Sequence, residues 1–352
     1  MDALEWYCMD KKYTIKDIAE LAGVSKGTVD RVLHRRGKVS PKALARVEKI
    51  LKEIDYQPNP IARNLKNNKV YRICVLMPDP KEDAYWSPAV QGIKEAAREF
   101  KPFGVLVNTY YYYTSEKISF IEKSKEALNS SPDVLLMAPV FQKEALEIFK
   151  HCQEAGVSVA LFNNLIEEFS TQSFVGQDLT QTGRVAAGLI HKLVDNSSTI
   201  AILHIDEEKH MSLKENGFKA FFEGRSFTPE IKTFSLQTSN YEAFKKQSID
   251  LVKNTNTISS VFVTNSKAYV FLKAISGINK NLTIVGYDLL PENIKYLEKG
   301  HIDFLIHQKP KRQAYLGVGY LAENFLFGKP IPEENLLPID IITPENVMYY
   351  LD

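Results

Sequence analysis

Residues 14–66 read TIKDIAELAGVSKGTVDRVLHRRGKVSPKALARVEKILKEIDYQPNPIARNLK and contain the boundary signals of several short helices. Thr14 is followed three residues later by Asp17, which is the spacing of a capping box at a helix start. Gly23 ends this first helix, because glycine adopts the left-handed backbone of a tight turn without strain. Ser25 then provides the N-cap of a second helix. The pattern predicts two short helices joined by a tight turn.

Two further helix starts follow in the same stretch. Ser40-Pro41 and Asn59-Pro60 are pairs of an N-cap residue and a first-turn proline. The first pair begins a third helix, and the second begins a short fourth helix that ends near residue 66. We therefore divide this part of the chain into an extension at 1–12, a helical head at 13–58, and a hinge helix with its linker at 59–69. The sequence leaves open whether the protein starts at Met1 or at Met9.

The net charge of +1 hides an asymmetry between the two ends of the chain. Residues 1–72 hold 16 Lys and Arg against 9 Asp and Glu, whereas the rest holds 28 basic against 34 acidic residues. A basic head on an acidic body indicates a polyanionic partner for the head, although a solvated basic face has the same composition. The stretch also has the parts of a helix-turn-helix. Ala19 is the small residue where the helices cross, Gly23 forms the turn, and Val29 and Val32 form the apolar inner face of the second helix. Together these features predict DNA binding.

From residue 70 onward, segments of strand character alternate with helical segments. The predicted strands are 72–77, 104–111, 134–137, 157–162, 174–176, 199–204, 231–235, 260–263, 283–285 and 303–307. This alternation is typical of parallel sheets with helices on both faces. Because residues 70–352 exceed one comfortable hydrophobic core, we expect two lobes. The predicted fold class is α/β, with a helix-turn-helix head followed by a two-lobed domain.

The head resembles the lactose- and purine-repressor family of transcriptional regulators. The resemblance rests on TIKDIAELAGVS, on the recognition-helix pattern TVxRVL as TVDRVL, and on YQPNPIARNLK. The body has the length and alternation of that family's sensor domain, which is similar to type I periplasmic sugar-binding proteins. FVGQD, NGFKAF, VFVTNS, VGYDLLPEN and HQKPKRQAYLG resemble landmarks of those sugar-binding lobes. The resemblance implies a homodimer that binds a pseudo-palindromic operator and responds to a small ligand.

The resemblance also implies which residues contact DNA. Arg31 can donate two hydrogen bonds to a guanine, whereas Gly27 departs from the family because it has no side chain to read a base. Leu65 falls on the apolar wedge of the hinge helix, which kinks the minor groove. A structural role in packing between domains is the alternative for this leucine. The expected DNA-binding residues are Thr14, Ser25, Lys26, Gly27, Thr28, Arg31, Asn59, Arg63 and Leu65.

The ligand site follows from a rule of parallel sheets, in which ligands bind beyond the carboxyl ends of the strands. Polar and aromatic residues at such ends can bind sugar hydroxyls and sugar rings, although each is also an ordinary loop residue. The resemblance supports Asn265 and Asp288 most directly and adds Lys214. It also places Asn163-Asn164 where an Asp-Arg pair is common, so we expect a neutral carbohydrate or a related polyol. The expected ligand-binding residues are Asp79, Tyr85, Trp86, Asn163, Asn164, Asp178, Lys214, Asn265, Asp288 and Gln308.

Several function classes are excluded or disfavoured by the sequence. There is no phosphate-binding loop, G-x-G-x-x-G after a strand, H-E-x-x-H or G-x-S-x-G motif, so we expect no enzyme, no cofactor and no metal site. No window approaches about 18 consecutive apolar residues, and MDALEWYCMDKK has no apolar signal core, so we expect a cytoplasmic protein without membrane contact. Two alternatives stay open, a solute-binding receptor and a sugar-processing α/β enzyme with a DNA-binding head. Repression and activation stay open too, although repression is favoured.

Overall fold

The computed structural model describes residues 13–34, 36–54, 56, 69–166, 168, 173–195, 198–206, 208–226, 229–254 and 257–351. The chain divides into two compact units, Met1–Lys66 and Asn67–Asp352. The predicted hinge helix lies outside the described residues. Within the described part of the chain, no helix is both long and apolar enough to cross a membrane.

Unit 1 contains the three predicted helices of the head. They are α1 (Ile15–Ala22), α2 (Lys26–Leu33) and α3 (Pro41–Glu53). The expected capping box is present, because the Thr14 hydroxyl accepts from the Asp17 amide while the Asp17 carboxylate accepts from the Thr14 amide. Gly23 has φ +63° and ends α1 in the left-handed conformation. The three helices enclose a small core of Ile18, Ala19, Ala22, Val29 and Val47.

Unit 2 contains two six-stranded sheets, one in each lobe. The first lobe comprises β1 (Tyr71–Pro78), α4 (Ser87–Phe100), β2 (Val105–Tyr112), α5 (Lys117–Asn129), β3 (Val134–Met137), α6 (Gln142–Glu154), β4 (Ser158–Phe162) and β5 (Phe174–Gly176). The second comprises α7 (Leu179–His191), β6 (Thr199–Ile205), α8 (Lys209–Phe222), β7 (Glu230–Leu236), α9 (Tyr241–Asn254), β8 (Ile258–Val263), α10 (Ala268–Ala274), β9 (Thr283–Tyr287), α11 (Pro291–Glu298) and β10 (Phe304–His307). The chain then returns to the first lobe as α12 (Pro310–Phe327) and β11 (Glu334–Leu336), and ends in the second with β12 (Asp340–Ile342).

The strand orders are β11-β5-β4-β3-β1-β2 and β12-β10-β9-β8-β6-β7. All ten predicted strands are confirmed, and their neighbours pair in parallel. The short strands β11 and β12 were not predicted, and β12 pairs antiparallel with β10. Buried Val, Ile and Leu side chains on both faces of each sheet pack against the helices. The fold class is therefore α/β, as expected.

The chain crosses between the lobes three times, in segments that, with the adjoining strand residues, comprise 177–178, 307–309 and 337–340. Gln177 connects the three crossing segments, because its Nε2 donates to the carbonyl oxygens of His307 (3.1 Å) and Pro338 (2.9 Å). The ion pair of Lys309 and Asp340, at 2.7 Å, joins two of the same segments. The carboxyl ends of the parallel strands in both lobes consequently face a common cleft.

Candidate DNA-contact surface and ligand cleft

The N-terminal end of α2 forms an exposed polar surface on unit 1. Ser25 caps the helix, with its hydroxyl 3.2 Å from the Thr28 amide and 3.0 Å from the Thr28 hydroxyl. Lys26, Gly27 and Arg31 are exposed, and Val29 on the opposite side of the helix is fully buried. The helix therefore presents a basic, hydrogen-bonding face to solvent, while its apolar face holds it to α1 and α3. This is the arrangement that a major-groove recognition helix requires.

The space around Gly27 is open. A Cβ atom built there would lie 3.8 Å from Arg31 Nη2 and 3.9 Å from Ser25 Oγ, which are ordinary contact distances. Gly27 is thus not required by packing within unit 1. The other expected DNA contacts on the linker, Asn59, Arg63 and Leu65, lie outside the described residues.

The interlobe cleft of unit 2 is lined by loops from both lobes. The first lobe contributes the segment after β1 and the residue after β4, and the second contributes the segments after β6, β8, β9 and β10. The lining residues are Asp83, Tyr85, Trp86, Asn163, Glu208, His210, Asn265, Ser266, Lys267, Asp288 and Gln308. These residues combine aromatic, amide and charged side chains around one opening between the lobes.

A chain of hydrogen bonds crosses the floor of this cleft. Asn163 Nδ2 donates to the Tyr85 hydroxyl and, at 3.1 Å, to Gln313 Oε1. Gln313 Nε2 in turn donates to the Gln308 carbonyl at 2.6 Å. Gln308 Nε2 donates to Asp288 Oδ2 at 2.6 Å. Residues of the first lobe are thereby joined to residues of the second through the segment that crosses between them.

Two cleft residues have a left-handed backbone. Asn163 has φ +69° and Asp288 has φ +64°, and each directly follows a strand. Asn and Asp tolerate this region better than other residues with side chains, and such backbones concentrate at functional sites. Asp288 is 2% exposed, and its Oδ1 accepts from the Gln308 amide at 2.9 Å. Its carboxylate is consequently held in a fixed orientation at the cleft floor.

Carboxylates dominate the charge of the cleft. Burial raises the pKa of Asp83, and the negative charges of Glu208 and Asp288 add to this effect, against the opposing Tyr85 amide and Lys267. Burial also acts to raise the pKa of Glu208. The hydrogen bond from His210 and the charges of His210, Lys267 and the nearby Lys214 outweigh it and leave that pKa lowered.

Lys214 on α8 lies beneath the floor and does not line the cleft. Its Nζ is 3.0 Å from the Thr264 carbonyl oxygen, 3.4 Å from Gln308 Oε1 and 3.8 Å from the centre of the Tyr287 ring. Burial lowers its pKa to about 8, against the opposing charges of Asp288 and Glu208. Lys214 therefore supports Gln308 from behind instead of facing a ligand.

The structure brings six of the ten expected ligand residues to the cleft: Tyr85, Trp86, Asn163, Asn265, Asp288 and Gln308. Asp79 instead accepts from the Lys81 amide, Asn164 donates to the Pro139 carbonyl oxygen, and Asp178 caps α7 through the Gln181 amide. These three and Lys214 are absent from the lining of the cleft.

Five lining residues were not expected from the sequence: Asp83, Glu208, His210, Ser266 and Lys267. All five lie three to five residues beyond a strand end, whereas the predicted Asn163, Asn265, Asp288 and Gln308 lie one or two residues beyond one. Ser266 and Lys267 directly follow the predicted Asn265, so widening the rule by a few residues finds them. Trp86, by contrast, is 4% exposed and also packs edge-on against Phe162 in the core.

Two family models match this chain. Residues 14–59 match the model described as bacterial regulatory proteins, lacI family. Residues 73–329, which are more than half of the chain, match the model described as periplasmic binding protein domain. The first match covers the helices of unit 1, and the second covers both sheets of unit 2 except for β11 and β12.

Regulators are among the similar proteins. The HTH-type transcriptional regulator pepR1 of Lactobacillus delbrueckii subsp. lactis is 26% identical over 261 residues, which are 72% of this chain and 75% of that protein. The sucrose operon repressor of Streptococcus mutans is 22% identical over 341 residues, which are 95% of this chain and 99% of that protein. The solved structure of a Bacteroides fragilis protein assigned to the LacI transcriptional regulators has a TM-score of 0.76 at 25% identity, covering 80% of this chain and 100% of that one.

Proposed function

This chain belongs to the lacI family of bacterial regulatory proteins and is a ligand-responsive, DNA-binding regulator, and from that premise we propose that its effector is a carbohydrate or related polyol bound in the interlobe cleft. The protein is a regulator and not an enzyme, in line with its relatives. In this proposal it is a cytoplasmic homodimer that represses by binding a pseudo-palindromic operator.

The composition of the cleft is the observation that carries the effector class. Amide and carboxylate groups of Asn163, Asn265 and Asp288 converge there with the aromatic Tyr85 and Trp86. Amides and carboxylates exchange hydrogen bonds with hydroxyl groups, and aromatic side chains cover the apolar faces of sugar rings. The similarity to a sucrose operon repressor supports the same class.

The effector proposal is tested by thermal unfolding of the full chain in the presence of a panel of neutral sugars and polyols. A ligand at 100 times its dissociation constant stabilises a protein by about 2.7 kcal/mol. We expect one or more members of the panel to raise the melting temperature and Asn265→Ala to remove that shift. The exposed Asp250 on α9 provides a control, because Asp250→Asn lies outside the cleft and should respond like the wild type. No shift with any sugar, polyol or sugar derivative would reject the effector class.

The operator proposal rests on the exposed basic face at the start of α2. Arg31 is expected to donate to a base edge, and Lys26 and Thr28 to phosphates or bases nearby. Selection from a random duplex pool should give a sequence with two related half-sites, since a dimer presents two such helices. Arg31→Ala should lose about 1–3 kcal/mol of affinity and relax the preference at one base pair. Lys52→Ala, an exposed charge removed from α3, is the matched control for a general loss of positive charge.

Equal affinity of the intact protein for random and selected duplexes would contradict this proposal. The dimer is tested separately by sedimentation of the full chain with and without the selected duplex. Addition of the effector found above to the protein–operator complex then shows whether the ligand releases DNA, as expected for an inducer, or strengthens binding, as expected for a corepressor.

A further inference from the structure

The charges that line the cleft do not balance within the protein. Three carboxylates line it, those of Asp83, Glu208 and Asp288, whereas its basic residues are one lysine, Lys267, and one histidine, His210. Carboxylates, amides and hydroxyl groups can all bind a neutral polyol, so the surplus of negative charge does not by itself define the ligand. The protein partners of each carboxylate therefore show which negative charge is left available to a ligand.

The basic residues of the cleft are already engaged. Lys267 Nζ lies 2.6 Å from Asp206 Oδ2, and Asp206 does not line the cleft. His210 Nδ1 lies 3.2 Å from Glu208 Oε2. Lys267 is thus compensated from outside the cleft, and His210 is the ion-pair partner that the structure gives Glu208.

Asp288 is satisfied by the protein as well. Each of its oxygens accepts a hydrogen bond from Gln308, one from the main-chain amide and one from the side chain. Lys214 lies behind Gln308 and contributes a positive charge from below the floor.

Asp83 is the exception among the three. Its Oδ1 accepts from the Tyr85 amide at 3.0 Å, and among the described residues no cation lies within 4 Å of it and no donor bonds its Oδ2. The raised pKa of this carboxyl has burial as its main cause, and the charges of Glu208 and Asp288 act in the same direction. The charge of Lys267 opposes them, but Lys267 is already paired with Asp206, so Asp83 has no ion-pair partner of its own among the described residues. A partly buried carboxylate without such a partner costs free energy.

Ser266 is a second and independent indication of a ligand. It lines the cleft, it is only 5% exposed, and its hydroxyl has no hydrogen-bond partner among the described residues. The Ser266 hydroxyl is not among the buried polar atoms that lack a partner, so it opens to the cleft, where a polar ligand beside Asp83 can reach it.

We propose that the effector carries a protonated amino group beside its hydroxyl groups, and that Asp83 binds this amino group with Glu208 as the second carboxylate. The effector class is then an amino sugar or an aminated polyol. The inference rests on the proposed function, because it assigns the chemistry of a ligand for the same cleft. A charge-assisted hydrogen bond from an ammonium group is shorter and stronger than one from a neutral hydroxyl, and it supplies the cation that Asp83 lacks.

The test compares matched sugars on the full chain by calorimetry and thermal unfolding. The probes are D-glucosamine, D-galactosamine and D-mannosamine, each with its neutral parent hexose and its N-acetylated form. We expect at least one amine to bind about tenfold or more tightly than its parent, and its N-acetylated form to lose that advantage, because acetylation removes the charge. A parent hexose or other neutral polyol that binds while no amine exceeds it overturns this inference and leaves the proposed function intact. Failure of every probe overturns this inference, and the proposed function is rejected as well when the wider panel of sugars and polyols also gives no shift.

Two substitutions locate the amino group. Asp83→Asn keeps an acceptor for the Tyr85 amide but removes the charge, so the affinity of the amine relative to its parent should fall to less than about twofold. Glu208→Gln should reduce the same advantage. The exposed Asp250→Asn and Glu298→Gln remove one charge each outside the cleft and should retain the advantage in full. Equal weakening of amine and parent by Asp83→Asn would show a role in structure alone and overturn the assignment.

Discussion

Lys214 provides the sharpest test of the cleft floor, because a fully buried lysine makes stability depend on pH. Its side chain is 0% exposed and has two oxygen acceptors, the Thr264 carbonyl and Gln308 Oε1, with no carboxylate within 4 Å among the described residues. Burial lowers its pKa from the usual 10.5 to about 8, although the charges of Asp288 and Glu208 oppose the change. The folded protein therefore gives up this proton more readily than the unfolded chain does.

The sign and the size of the effect follow from proton linkage. Between about pH 8 and pH 10.5 the unfolded chain holds the Lys214 proton and the folded protein has released it, so the free energy of unfolding rises with pH in this window. Below about pH 8 both states are protonated, and the cost of the buried charge is fully present. At about 1.4 kcal/mol for each pKa unit, the whole change is about 3 kcal/mol.

The assay is urea unfolding at several pH values, followed by tryptophan fluorescence, to which Trp86 in unit 2 contributes. Wild type and Lys214→Met are compared, because methionine fills a similar volume without a charge. As the pH rises from about 7.5 to 10, the free energy of unfolding of the wild type should increase relative to that of Lys214→Met. Lys245→Met, which removes an exposed lysine on α9, is the control and should follow the wild type. Identical pH dependence in wild type and Lys214→Met would refute the assignment of a buried, charged lysine.

Three further predictions concern glycines and the cleft. Gly183→Ala should destabilise unit 2 by about 1–3 kcal/mol in urea unfolding, since a Cβ there would overlap the Lys214 carbonyl oxygen of α8; an unchanged midpoint would contradict this packing. In unit 1, Gly27→Ala should stabilise the helix by up to about 1 kcal/mol and Gly23→Ala should destabilise the turn, because Gly23 has positive φ and Gly27 does not. Equal effects on the melting temperature would argue against the turn geometry. Asp288→Ala should cost about 1.5–3 kcal/mol of effector affinity and leave operator binding intact, and unchanged calorimetry would remove Asp288 from the site.

The alternation of strands and helices was predictable because buried parallel strands are continuous apolar runs. Residues 134–137 and 199–205 are buried at every position, and no turn residue interrupts them. The strands β11 and β12 were missed for the opposite reason, since each has three residues of mixed polarity. Their pairing depends on neighbours that are distant in the chain, and a local pattern contains no information about those neighbours.

The cleft was only partly predictable, because a polar residue after a strand has two competing uses. It can bind a ligand, or it can satisfy backbone groups that the end of the strand or the start of a helix leaves unpaired. Asn163 and Asp288 face the cleft, whereas Asp79 bonds its own turn and Asp178 caps α7. The path of the loop decides between these uses, and this path depends on the packing of the whole lobe. Asp83 lies in the same loop as Asp79, yet it is Asp83 that lines the cleft.

The geometry of the cleft couples the ligand to the arrangement of the lobes. Asn163 belongs to the first lobe, Gln308 lies on a crossing segment, and Gln313 is hydrogen-bonded to both. Gln177 binds the other two crossing segments to its own. We expect a ligand that binds Asn163 of the first lobe and Asp288 of the second to favour one orientation of the lobes, because it then contacts both. By linkage this effect is reciprocal: ligand binding shifts the equilibrium between lobe orientations by the same free energy by which orientation changes ligand affinity. A regulator needs this property of its sensor, and here the bonds between the lobes supply it.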